Sequence, residues 1–308
     1  MRRFAPFVLA FAACARPAAV EDGRPRVLAT TTMIADAARA VGEPCVRVVG
    51  LLPIGGDPHI YEPTPRDLRE AAEADLVLAN GLGLEGWLEK LVRHAGGRRP
   101  IVAVADGLPP LYARGREGFD PDPHMWGDPR LFLRYVDRIE AALARLAPSC
   151  TADIHRRAEA YRRRLRALDQ WIRAAIATVP PSARILVTSH DAFAYYARAY
   201  GLTVRSPIGV STDEEASART MVGLTRLLRE VRVPAVFVET TVNPSLVRQL
   251  AREARAQVAG PLYSDSLGPP GSGADTYLGM MIHNTRTIVA ALGGQVPPLP
   301  PELAEVVR

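Results

Sequence analysis

Two α/β lobes joined by one long, rigid helix are the architecture this chain leads us to expect, and three observations point there. Short strand-prone runs alternate with helical runs in both halves of the sequence, which is the pattern of α/β domains. Between the halves, Thr151 to Thr178 contains neither Gly nor Pro, and its apolar residues Ile154, Ala158, Tyr161, Leu165, Leu168, Ile172 and Ala175 follow helical spacing. The chain has 308 residues and a mass of 33.4 kDa. That length suits about two domains of ordinary size, each able to bury its own apolar core.

In the first half, Arg26–Thr32, Val46–Leu52, Asp75–Ala79 and Ile101–Val104 read as strands. Met33–Val41, Pro65–Glu73 and Leu84–His94 read as the helices between them, with Pro63 and Pro65 marking a loop and a helix start. The linking helix has Ser149 or Thr151 as its N-cap, and Pro180-Pro181 stops it. At 1.5 Å per residue it extends roughly 40 Å, the span of a domain, which argues against a wide hinge. The alternative is a long surface helix within one lobe. In the second half the strands are Arg184–Ser189, Pro234–Thr240 and Gln257–Leu262, and the helices are Ala192–Tyr200, Glu214–Val231 and Ser245–Ala256. The expected divisions are a leader over 1–23, a first lobe over 24–148, the linking helix over 149–181, a second lobe over 182–295 and a flexible Pro-rich tail over 296–308.

Composition excludes several classes. With 48% hydrophobic residues, 23% charged residues and a mean hydropathy of +0.00, the chain fits neither a polytopic membrane protein nor a disordered one. The formal charge of +5 drops to +3 if Arg2 and Arg3 leave with the leader, too mild for a nucleic-acid partner. Aromatic residues make up 6% of the chain and do not alternate with Arg, so there is no base-stacking platform. Met1 to Cys14 combines a basic start with a short apolar run, as export signals do, and is too short to span a bilayer permanently. Cys14 after Ala12-Ala13 resembles a lipobox cysteine, whereas cleavage after Ala15 or Ala19 would release a soluble periplasmic protein. Export also permits a bridge between Cys45 and Cys150, whose separation the sequence does not give.

The chemistry is concentrated in four segments. Asp57-Pro58-His59 lies in a loop stiffened by Gly55-Gly56 and several prolines, and Asp122-Pro123-His124 repeats the tripeptide. Two histidines in matched rigid frames point to ligation rather than to chance surface placement. His190 in Ser189-His-Asp191 follows a strand, and Asp265 follows another before a Gly/Pro-rich loop; ends of α/β strands are where ligand groups gather. Helix capping and turn formation are the alternatives for these two. Together the four make an N3O set suited to zinc, manganese or a similar first-row ion.

These segments resemble the metal-binding solute-binding proteins of zinc and manganese ABC importers, the TroA-like or cluster A-I family. The matching stretches are Asp57-Pro-His-Ile-Tyr-Glu-Pro-Thr-Pro-Arg-Asp67, Asp122-Pro-His-Met-Trp126, Ser189-His-Asp-Ala-Phe-Ala-Tyr195 with Tyr200-Gly-Leu202, and Asp265-Ser-Leu-Gly268 with Gly273-Ala-Asp-Thr-Tyr277. They run in the family's order to about Leu292. The resemblance implies a monomer with two lobes on a helical backbone, a metal held between them by His59, His124, His190 and Asp265, and delivery to a membrane permease. His94, His155 and His283 match no ligand position. Glu239 suits an acceptor for a ligating imidazole N–H, with simple packing as the alternative. His at 190 resembles the zinc-associated members, while the context of His59 resembles the manganese branch. Three imidazoles and the ordering of metal affinities favour zinc. The other readings are a zinc hydrolase, for which no HExxH motif is present, and a surface adhesin lipoprotein.

Overall fold

The computed structural model describes residues 23–115 and 118–306, so the leader and Cys14 lie outside the described residues. The chain opens with β1 (Arg26–Ala29), α1 (Thr32–Gly42), β2 (Arg47–Gly50), α2 (Pro65–Glu73), β3 (Leu76–Ala79), α3 (Leu88–His94) and β4 (Ile101–Ala103). The strands form one parallel sheet in the order β2-β1-β3-β4, with Val27 between Val48 and Leu76. Parallel neighbours need a crossover, which α1 provides between β1 and β2. An antiparallel hairpin of β5 (Tyr112–Gly115) and β6 (Gly118–Pro121) follows, then α4 (Pro129–Leu146) and α5 (Thr151–Ala177).

The second half contains β7 (Ile185–Val187), α6 (Ala194–Tyr200), β8 (Thr203–Arg205), α7 (Ala218–Val231), β9 (Ala235–Glu239), α8 (Ser245–Ala254), β10 (Gln257–Leu262), α9 (Tyr277–Ala291) and α10 (Pro301–Ala304). β7 pairs with β8 and β9 with β10, both parallel. The fold is therefore mixed α/β with a long central helix. All seven apolar residues that set the period of α5 are at most 5% exposed. The N-cap differs from expectation: Cys150 takes that position without a side-chain bond, because a 3-10 turn over Pro148–Cys150 leads into the helix and Thr151 Oγ1 donates to the carbonyl of Pro148. Cys45 and Cys150 are joined as a disulfide with Cα atoms 6.0 Å apart, tying the approach to β2 to the start of α5.

Burial differs from the expectation of two separate cores. One large apolar cluster runs through both halves, built from Ile34, Val41, Phe132, Ile139, Leu165, Ile172, Tyr196, Tyr277 and Ile288 among others. Smaller clusters lie outboard of it, one under α2 and α3 around Val77 and Leu91, the other under α7 and α8 around Leu228 and Leu250. The four-stranded sheet and the β7–β8 and β9–β10 pairs thus pack one face on shared central helices and the other on outer helices.

The Pro-rich tail, expected to be flexible, makes contacts with the central cluster. Trp171 Nε1 donates to the carbonyl of Pro297 at 3.1 Å, and Leu303 of α10 is 0% exposed against the central cluster. The Pro-rich run does not form a ladder but still carries Leu299 and Leu303, and burying these apolar side chains docks it.

Candidate metal centre

The loop after β2 is built around its first Asp-Pro-His. Asp57 Oδ1 accepts the backbone N–H of His59 at 2.9 Å, an Asx turn that fixes where the imidazole leaves the chain. Trp87 Nε1 donates to the carbonyl of Pro58 at 2.8 Å, and Gly55 supplies a φ of +81° that other residues adopt at a cost. Downstream, Thr64 and Asp67 form a capping box for α2, with Pro65 at its first turn, and Tyr61 donates to Asp67. His59 remains only partly buried.

The second Asp-Pro-His follows β6 and forms the same turn, Asp122 Oδ1 accepting the backbone N–H of His124 at 2.9 Å. Here the carboxylate also reaches the ring, with Oδ1 2.8 Å from Nδ1, which directs Nε2 toward the site. Asn80 Nδ2 donates to the carbonyl of Pro123 at 3.0 Å, and buried Glu85 accepts the backbone N–H groups of Asn80 and Gly81. Burial raises the Glu85 carboxyl above its ordinary range.

From the other half, His190 follows β7 and Asp265 follows β10, both at the carboxyl ends of parallel strands. Glu239 ends β9 and accepts the backbone N–H groups of Ser189 at 2.6 Å and His190 at 3.0 Å. Its other oxygen is 2.8 Å from His190 Nδ1, close in distance but off the line of a good hydrogen bond. Thr241 and Ser264 hydroxyls donate to Asp265 Oδ2 at 3.2 and 3.3 Å.

One ligand atom from each of His59, His124, His190 and Asp265 lies within 4.8 Å of the others. His59 and His124 Nε2 atoms are 3.2 Å apart, His124 Nε2 is 3.3 Å from Asp265 Oδ1, and His190 Nε2 is 3.1 Å from Asp265 Oδ2. Four donors at zinc bond lengths of about 2.0–2.1 Å in a tetrahedron would stand about 3.3 Å apart. His190 Nε2 and Asp265 Oδ1 are buried without a hydrogen-bond partner, the condition of atoms facing an ion. His94, His155 and His283 lie elsewhere; His155 pairs with Glu140 at 2.7 Å, and His283 Nε2 donates to the carbonyl of Pro261.

Electrostatics divide the four grouped residues. Burial pushes the His59 imidazole down to about 3. Burial opposes charge on His124 as well, but the hydrogen bonds and charges of Asp122 and Asp265 outweigh it and raise it to about 9. His190 is raised well above its ordinary value by Glu239 and Asp265 against the same burial. Asp265, though buried, is held well below the usual carboxylate range by His190 and His124. Sequence reasoning missed Asp122, although an Asp two residues before each His was a readable sign of an Asx turn. It also missed Asn80 and Glu85, which act through backbone groups and leave no local motif.

The model of the ZnuA family, described as zinc-uptake complex component A, periplasmic, matches residues 27–291. The chain belongs to the ZnuA family. Relatives of this ZnuA-family chain include the zinc-binding protein TroA of Treponema pallidum, 38% identical over 279 residues, covering 89% of this chain and 91% of TroA. The manganese-binding lipoprotein MntA of Bacillus subtilis is 38% identical over 278 residues, 88% of this chain and 90% of MntA. The iron-binding protein YfeA of Yersinia pestis is 31% identical over 294 residues, 93% and 94% of the two chains. The solved structure of TroA superposes with a TM-score of 0.82 over 88% of this chain and 99% of that one.

Proposed function

We propose that this ZnuA-family protein captures one divalent transition metal outside the cytoplasm, zinc first, and hands it to the membrane permease of an ABC importer. The observation that carries this reading is the convergence of His59, His124, His190 and Asp265 donors within 4.8 Å. The ion is cargo, and the protein's work is to exchange charge. In the empty site at neutral pH the carboxylates of Asp122, Asp265 and Glu239 keep His124 and His190 protonated. A dication then displaces about two protons, one from each imidazole, so the buried charge is conserved and no ion enters an uncompensated apolar interior. Asp122 and Glu239 act as positioning residues that hold two imidazoles with Nε2 inward.

Zinc is favoured because three imidazoles form a donor set of intermediate softness, for which zinc ranks above manganese. Manganese is the second reading, favoured by Asp265, whose two oxygens each face a different imidazole and could both reach an ion to expand its coordination. The relatives' names include zinc, manganese and iron. We further propose that residues 24–148 and 182–295 act as the two lobes around the ion and that the protein works as a monomer. Cys14 serves as its lipid anchor, with soluble periplasmic release as the alternative.

The test is competitive titration of metal-free protein with Zn2+ and Mn2+ against a chelator of known affinity. One ion per chain is expected, with Zn2+ the tighter, and His190→Ala should lose at least two orders of magnitude. If His190→Ala left both affinities unchanged, the site as drawn would be wrong.

A further inference from the structure

The two Asp-Pro-His loops are mounted differently. The His124 loop is fixed to the second half by buried bonds: Trp126 Nε1 donates to the carbonyl of Ser264 at 2.9 Å, Tyr195 donates to the carbonyl of Asp122 at 2.8 Å, and Tyr277 donates to the carbonyl of Trp126 at 2.7 Å. The His59 loop reaches the second half through side-chain bonds nearer solvent. Gly55 N–H donates to Ser266 Oγ at 2.7 Å, and Thr212 Oγ1 donates to Asp57 Oδ2 at 2.7 Å.

His124, His190 and Asp265 are at most 1% exposed, whereas partly buried His59 lines a cleft of about 290 Å3 that opens to solvent. Leu82, Gly83 and Asp120 form one wall of the cleft, and Val210, Ser211 and Glu214 form the other. The second wall belongs to residues 206–217, which form neither helix nor strand; the backbone N–H of Asp191 bonds to the carbonyl of Gly209 at its base. Asp57 therefore has two tasks. One oxygen sets the backbone of His59, and the other receives Thr212 from across the cleft.

We propose that Thr212 is the latch on the metal's way out. The ion leaves past His59 when the 206–217 wall lets go of Asp57 and the His59 turn loosens, while the other three ligands stay in place. The inference rests on the metal-capture reading above. Thr212 is a positioning residue that acts through Asp57.

The test measures the rate at which Zn2+ leaves the loaded protein for an excess of chelator. Thr212→Val, equal in shape but without the hydroxyl, is expected to release Zn2+ about tenfold faster, the effect of losing one hydrogen bond to a carboxylate. Thr212→Ser, which keeps the donor, should release it at the native rate. In metal-free protein, hydrogen exchange of a peptide spanning Ile54–Tyr61 should rise in Thr212→Val and not in Thr212→Ser. Native release from Thr212→Val, or equally fast release from both variants, would overturn the latch. If the native protein failed to hold Zn2+ at all, the capture reading would fall, and the exchange comparison would still decide whether Thr212 restrains the His59 turn.

Discussion

The two Asp-Pro-His tripeptides put the same three residues to different uses. In both, the Asp closes a turn on the His backbone; only Asp122 goes on to hold its imidazole, while Asp57 turns its spare oxygen to Thr212. This difference predicts a proton signature. With His124 raised to about 9 and His190 raised well above its ordinary value, both rings carry protons at pH 7 in the empty site. Because metal binding expels them, affinity should rise with pH toward 9 and fall steadily on acidification, by about tenfold per unit for each proton released. Calorimetry of Zn2+ binding at pH 7 in buffers of different ionisation enthalpy should report close to two protons per ion; zero would refute the exchange. Glu239→Gln keeps the shape but removes the charge beside His190, and should weaken Zn2+ binding about 10–100-fold in a chelator competition. The grouping of His59, His124, His190 and Asp265 was legible because the four sit in short, order-preserving motifs. Glu239 was readable only as a candidate, since a carboxylate at a strand end faces a ligand or solvent depending on a neighbour some 50 residues away.

At the scale of elements, the repeated strand and helix runs were legible, and the apolar face of α5 was legible residue by residue. α4 went unread although Asp128 caps it, Pro129 opens it and Phe132, Tyr135, Val136, Ile139 and Leu143 repeat along one buried face. The β5–β6 hairpin left no such trace, because its strands are only four residues each and carry no apolar alternation. The disulfide lay beyond sequence because pairing depends on how the chain folds across a sequence separation of 105. Closing so long a loop restricts the unfolded chain, so Cys45→Ser with Cys150→Ser should cost about 2–5 kcal/mol in urea unfolding while leaving Zn2+ affinity unchanged. α10 gives a second check: Leu303→Ala, at a fully buried site on the central cluster, should cost about 2–3 kcal/mol in the same measurement. A mobile tail would give no change.

For the whole molecule, the decisive feature is that both halves share one core. α5 packs against α1, α4, α6, α9 and α10, and Asp36 of α1 accepts the backbone N–H of Tyr277 at 2.9 Å and the hydroxyl of Tyr161 at 3.3 Å. Burial raises that carboxyl to about 6. Lobes welded along their inner faces cannot swing widely without opening packed apolar surface, so metal capture has to work through small local movements. Solution scattering curves of metal-free and Zn2+-loaded protein should therefore overlay; a marked contraction on loading would show a hinge. The same weld orders the birth of the protein. α1 lies near the amino end and depends on α9, which spans Tyr277–Ala291, to complete its packing. If the chain crosses a membrane amino end first, its core can close only after α9 has crossed.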